Sequence, residues 1–255
     1  MGEMSEMREE TVEIRTPDGV ADALLFPHGR GKAPGVIHLT DSGGIRPAQR
    51  EMARRLAAEG FTVLVPNLFW RTGKPPFFPA PTDFADPDVR RRLSELAAPL
   101  TPDAVERDGA AYADFLAARP SVVDGPLGVA GYSYSGALAL RIAAARPELV
   151  GAAASFHGGA LFTDAPASPH LVLPRIEARL YFAHAVQDKS MPADAIAKLG
   201  RALEAWGGAY ESETYDGAFH GWTTPDSPVF SAPHAERAFR KLKALLTGTD
   251  RRPRE

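Results

Sequence analysis

Two short apolar runs, "PGVIHLT" (Pro34–Thr40) and "FTVLVPN" (Phe61–Asn67), constrain this chain most. Runs that do not alternate with polar residues suit strands covered on both faces, the pattern of a parallel sheet inside an α/β protein. Between them, "QREMARRLAAEG" places Met52, Ala53, Leu56 and Ala57 on one helical face, with Gly60 as its stop. Strand, helix and strand therefore follow one another within about 30 residues, which predicts a right-handed parallel crossover.

The pattern extends through most of the chain. "TVEIRTPDGVADALLFP" (Thr11–Pro27) reads as an antiparallel hairpin about a Pro-Asp-Gly turn. Thr101-Pro102-Asp103 is a helix start, a cap followed by proline at the first helical position, and the helix runs to about Arg119. "GPLGVAG", "GAAASFHG", "ARLYFAHA" and "YESETYD" read as further strands, with helices to about Arg146, over Pro192–Trp206 and over Pro233–Leu246. The expected fold is α/β: a single doubly wound, mostly parallel sheet with an N-terminal antiparallel hairpin, spanning residues 11–248. Residues 1–10 are expected to be poorly ordered and 249–255 to form a polar tail. Residues 68–100, rich in Pro and Phe and without a period, read as an irregular lid or pocket wall.

Composition removes several classes of function. The 255 residues carry a net charge of −3, which leaves no electrostatic footprint for nucleic acid. The run Arg90–Arg92 reads as a solvated helix face. No apolar stretch approaches the roughly 20 residues of a membrane span, so no membrane partner is expected. The polar start "MGEMSEMREE" lacks the apolar centre of a secretory signal. With no cysteine, disulfides and cysteine-based metal or redox chemistry are excluded, and a cytoplasmic location is expected.

The stretch "GVAGYSYSGALAL" joins a strand to a helix at Ser133. In one reading it is an ordinary turn. In the other it is a nucleophile elbow, G-x-S-x-G with Ser135 in the last glycine's place and Gly136 beside it, which lifts the Ser133 hydroxyl off the strand end and aims a helix N-terminus at it. A serine nucleophile needs a base and the base an orienting acid. Asp188, in "QDKSMP", and His220, in "YDGAFHGW", each follow a predicted strand, although a helix cap and a surface-loop histidine are their alternatives. The order Ser, Asp, His along one sheet edge favours the triad. Of the other histidines, His38 and His184 read as core imidazoles, His28 and His234 as solvated and His170 as a connection residue. His157 reads as a pocket residue. No histidine pair has ligand-like helical spacing, so no metal is expected.

Over nearly its whole length the chain resembles the dienelactone hydrolase family of α/β-hydrolases. The resemblance is carried by "PGVIHLTDSGGIRPAQREMARRLAAEGFTVLVPNLFWR", "GVAGYSYSGALAL", "QDKSMP" and "YDGAFHGW". It places Ser133 where the family usually has a nucleophilic cysteine, and Asp188 and His220 at the other two triad positions. It further implies an oxyanion hole from the backbone N–H groups of Ser42 and Tyr134, an acidic residue at Asp41 beside the nucleophile, and a substrate-carboxylate contact at Arg71. The family's second carboxylate-binding arginine is Thr224 here. Trp70, Phe78 and Trp222, with Phe69, Phe77 and Phe156, suggest an aromatic pocket, core packing being the alternative for about half of them.

The expected function is cofactor-free hydrolysis of a small ester or lactone by a serine triad, in a monomer or homodimer. A lactonase that binds a carboxylate through Arg71 and a non-catalytic binding protein are the alternatives.

Overall fold

The computed structural model describes residues 8–79 and 82–248. Its eight-stranded sheet has the order β1-β2-β4-β3-β5-β6-β7-β8. The hairpin β1 (Glu10–Thr16) and β2 (Gly19–Phe26) is antiparallel, and β2 pairs antiparallel with β4 (Thr62–Pro66). All other pairs are parallel: β3 (Gly35–Leu39), β5 (Leu127–Tyr132), β6 (Val150–Phe156), β7 (Arg179–His184) and β8 (Tyr210–Thr214). β3, β4 and β5 are buried at every residue, which is why their sequences are almost wholly apolar. β8 is the exposed edge; Glu211 and Glu213 on it pair with Lys241 and Arg237, charges that discourage further strand pairing.

Helices cover both faces. On one lie α1 (Pro47–Ala58) and α6 (Ala232–Thr247), which bury Ala53, Leu56, Leu242 and Leu246 against β4 to β6. On the other, α3 (Pro102–Ala117), α4 (Ser135–Ala145) and α5 (Ala193–Trp206) bury Leu116, Leu138, Ile142, Leu199 and Leu203. Among the described residues no helix is long and apolar enough to cross a membrane.

Two expectations about the elements and their boundaries change. The segment 68–100 is irregular only in its first part, because Pro87–Ala97 forms α2. Asp86 caps it by accepting from the N–H groups of Asp88 and Val89, with Pro87 in the first turn, the same start signal that marks α3. Arg91–Asp88 and Arg92–Glu95 pairs line its exposed side, so the basic run is a solvated helix face. At the N-terminus, residues 1–7 lie outside the described residues, but Glu10 opens β1 and Glu9 pairs with Arg50 and Arg54 of α1. The tail 249–255 also lies outside them.

His38 in β3 and His184 in β7 are buried and hydrogen-bonded, to Gln49 Oε1 at 2.8 Å and Ser212 Oγ at 3.0 Å. His28 and His234 are not simply solvated, since their rings reach the carbonyls of Ala57 and Asp216. Burial holds both His38 and His184 neutral down to about pH 4, against the opposing pull of neighbouring acceptors and acids. Below the unfolded value of 6.5 the unfolded chain binds protons at these rings that the folded protein refuses. Their contribution to stability is therefore complete above pH 6.5 and declines as the pH falls toward 4. In His38→Gln, the stability lost between pH 7 and pH 4.5, read by urea unfolding, should shrink by roughly 2–3 kcal/mol relative to wild type.

Candidate active site

Ser133 follows the last residue of β5 and precedes α4. Its φ of +56° is left-handed, a conformation that costs a non-glycine residue about 1–3 kcal/mol and persists only where the surroundings enforce it. Two glycines allow the turn. A Cβ on Gly131 would stand 2.3 Å from the Ser135 carbonyl oxygen, and one on Gly136 would stand 2.4 Å from Ser155 Oγ and 2.8 Å from the Gly158 Cα. Ser135 does more than stand in for a glycine. Its buried hydroxyl accepts from the Tyr132 N–H at 2.8 Å and lies 3.0 Å from the Leu39 carbonyl, to which it donates, so it ties the elbow to the end of β3.

The three expected partners meet at the carboxyl edge of the sheet. Ser133 Oγ is 2.7 Å from His220 Nε2, and His220 Nδ1 is 2.7 Å from Asp188 Oδ2. The carboxylate at Nδ1 fixes the tautomer, leaving the Nε2 lone pair to accept the Ser133 proton. Asp188 is almost fully buried, and burial alone would raise its pKa. Hydrogen bonds from His220 and Ser190 outweigh burial and hold the carboxyl below its ordinary value. Ser190, which the sequence reading passed over, donates to Asp188 Oδ1 through both its hydroxyl (2.6 Å) and its N–H (2.8 Å). The signal was local: a serine two residues after an aspartate is a common side-chain-to-backbone turn. His157 and Gln187 are also left-handed, at +39° and +52°, so the backbone is forced at the ends of three successive strands.

The flanking residues fall into three groups. Ser42 follows β3 and Tyr134 precedes α4, and the backbone N–H of each is without a protein acceptor among the described residues. Asp41 is held by Arg46 (2.5 and 2.8 Å), Gln49 (3.1 Å) and the Gly43 N–H, with Thr224 Oγ1 at 3.4 Å. Arg46 also binds Asp226, joining the loop after β3 to the loop after His220. Arg71 lies farther along, against the β1–β2 turn and α3: it makes a bidentate pair with Asp108 (2.5 and 3.0 Å) and also contacts Asp18 (2.5 Å). Trp70 donates to the same Asp108 and lies under the Arg71 guanidinium, 4.2 Å from its ring centre. Phe78 is half-buried, edge-on to Phe84.

Trp222 and His157 depart from the expectation of a pocket lining. Both are wholly buried, so neither presents a surface to a ligand. They stand as a layer behind His220: the His157 ring centre is 5.2 Å from that of His220 and 4.9 Å from that of Trp222, and His157 Nε2 meets Thr223 Oγ1 at 2.7 Å. An aromatic residue just past a loop histidine reads the same in sequence whether it faces solvent or core. Among the described residues no group of three or more acidic, histidine or cysteine side chains is placed to hold a metal ion.

This mostly parallel sheet, with its leading hairpin and the serine turn after β5, is an α/β-hydrolase fold. The Dienelactone hydrolase family model matches residues 21–249, and the chain belongs to that family of hydrolases. The carboxymethylenebutenolidase of Rhodococcus opacus is 29% identical over 228 residues, covering 86% of this chain and 84% of that protein. The dienelactone hydrolase of Anabaena variabilis ATCC 29413 shares the fold with a TM-score of 0.66 at 21% identity, over 94% of this chain and 96% of that one. A dienelactone hydrolase-like promiscuous phosphotriesterase from metagenomic libraries does so with a TM-score of 0.77 at 20% identity, over 95% and 98%.

Removing the Ser135 hydroxyl deprives two buried backbone groups of their partner. Ser135→Ala should lose about 2 kcal/mol of stability in urea unfolding.

Proposed function

We propose that this hydrolase cleaves carboxylic esters or lactones through an acyl-enzyme on Ser133. The observation that carries the reading is the unbroken relay, 2.7 Å from Ser133 Oγ to His220 and 2.7 Å from His220 to Asp188, on a turn that holds the serine left-handed at the sheet's carboxyl edge.

His220 Nε2 takes the Ser133 proton as Oγ attacks the carbonyl carbon. The developing oxyanion is received by the N–H groups of Ser42 and Tyr134, the latter at the N-terminus of α4, where the helix dipole favours negative charge. The tetrahedral adduct collapses, the C–O bond breaks, and His220 gives its proton to the departing alkoxide, which in a lactone stays tethered to the acyl group. Water, losing a proton to His220, then attacks the acyl-enzyme; collapse releases the acid and returns the proton to Ser133. Asp188, fixed by Ser190, keeps the imidazole in the productive tautomer and stabilises its cation. The oxygen nucleophile depends on this base, because a serine hydroxyl cannot persist as an anion near neutral pH.

The same reading assigns Arg71 to the scaffold. Its guanidinium is occupied by Asp108 and Asp18, and Arg46 by Asp41 and Asp226, so neutral substrates suit the site better than carboxylate-bearing ones.

A fluorophosphonate should add once, on Ser133, by peptide mass mapping, and His220→Ala should abolish the adduct. Asp188→Asn should lower kcat by about 10⁴. A Ser133→Ala protein that hydrolysed esters at the wild-type rate would overturn the mechanism. Arg71→Met, by leaving the buried Asp108 carboxylate without its cation, should cost about 3 kcal/mol of stability. KM for a neutral ester should meanwhile stay within about twofold.

A further inference from the structure

On the face of the sheet opposite α3 and α4, a cavity of about 280 Å³ opens between α1 and α6. Its lining is mostly apolar and includes Met52, Leu56, Tyr132, Phe156, Phe230 and Phe239. Tyr132 and Phe156 form the floor as a stacked pair, ring centres 5.2 Å apart and planes 17° from parallel. Flat aromatic walls favour a planar occupant that can stack or meet them edge-on. Phe230, 41% exposed, stands at the mouth as an unusually accessible aromatic.

One buried side chain of the lining carries an uncommitted polar group. Tyr132 is only 5% exposed, yet its hydroxyl has no hydrogen-bond partner among the described residues. Burial keeps that phenol protonated, so it can both donate and accept. The other buried polar side chain of the lining, Thr223, is already bonded to His157. A hydroxyl that no protein group occupies is open to a hydrogen-bonding group of a ligand. The charged rim bears on the ligand's charge. Glu51, Arg55 and Glu236 line the mouth, and Arg55 is paired with Glu236 while its guanidinium lies 3.8 Å from the centre of the Phe239 ring. Among the lining residues no cation is left over to receive an anionic group, so an uncharged molecule fits better than an anion.

We propose that this cavity is a second ligand site, separate from the triad cleft, that binds a small neutral aromatic molecule of one or two rings bearing one hydrogen-bonding group, which pairs with the Tyr132 hydroxyl. The volume supports the size: a 150 Å³ apolar cavity accepts benzene, and this one is nearly twice as large. The site backs directly onto the catalytic edge. Thr223 lines it, holds His157, and His157 packs against His220.

The probe is 6-bromo-2-naphthol, tested on the full chain by calorimetry and by crystal soaking, with the bromine located from its anomalous signal. Binding with one molecule per chain and a submillimolar Kd is expected, as is bromine between α1 and α6. Ala235→Phe, which fills the mouth from α6, should weaken binding at least tenfold, with its folding checked by circular dichroism. Tyr132→Phe should weaken the naphthol about fivefold and leave 2-bromonaphthalene unchanged, the signature of one hydrogen bond. Bromine in the triad cleft or on the surface, or no heat of binding up to about 1 mM, overturns the proposal whatever the variants do. Equal loss of both probes in Tyr132→Phe overturns the role of the hydroxyl.

Discussion

The close approach of α4 to the end of β5 is the constraint on which the rest of the site depends. The chain must reverse between Tyr132 and Ser135 while the Ser135 carbonyl comes within 2.3 Å of where a side chain on Gly131 would begin. Only glycine satisfies that contact, and the resulting turn leaves Ser133 left-handed with its hydroxyl free of the strand. The Ser135 hydroxyl then bonds to both β5 and β3, so the loop carrying Ser42 and the turn carrying Tyr134 are referenced to the same atom. Strain at one residue is thus held in place by many ordinary contacts around it.

Burial and pairing set the charges around Ser133, His220 and Asp188. Asp188 is buried but ionised, because His220 and Ser190 supply the hydrogen bonds that water would otherwise make. His157, immediately behind, is kept neutral chiefly by its burial and secondarily by the neighbouring His220, so it does not compete for the proton. Asp41 and Asp226 share Arg46, and Asp108 pairs with Arg71. Such pairing offsets the acids in part, two of them sharing one arginine.

Much of this was legible in the sequence, for reasons particular residues make plain. Strands buried on both faces cannot hide their apolar runs, so β3, β4 and β5 announced the parallel sheet. In such a sheet every strand delivers its following loop to one edge, which made the order of Ser133, Asp188 and His220 informative. What escaped was set by contacts between distant segments. Arg71 finds its acids 37 and 53 residues away, at Asp108 and Asp18, and nothing near "FWRTG" signals them. Trp222 and His157 sit where lining and packing have the same composition, and only the layer behind His220 separates the two. The helix α2 carried a clear cap at Asp86-Pro87, but the Pro- and Phe-rich residues before it obscured its start.

The bridge from Asp41 through Arg46 to Asp226 spans segments 180 residues apart in the chain. It closes that span with charge-assisted bonds, much as a cross-link would. The loop after His220 and the loop after β3 are therefore tethered to each other. The tether holds the segment that carries Ser42 in place relative to the one that follows His220.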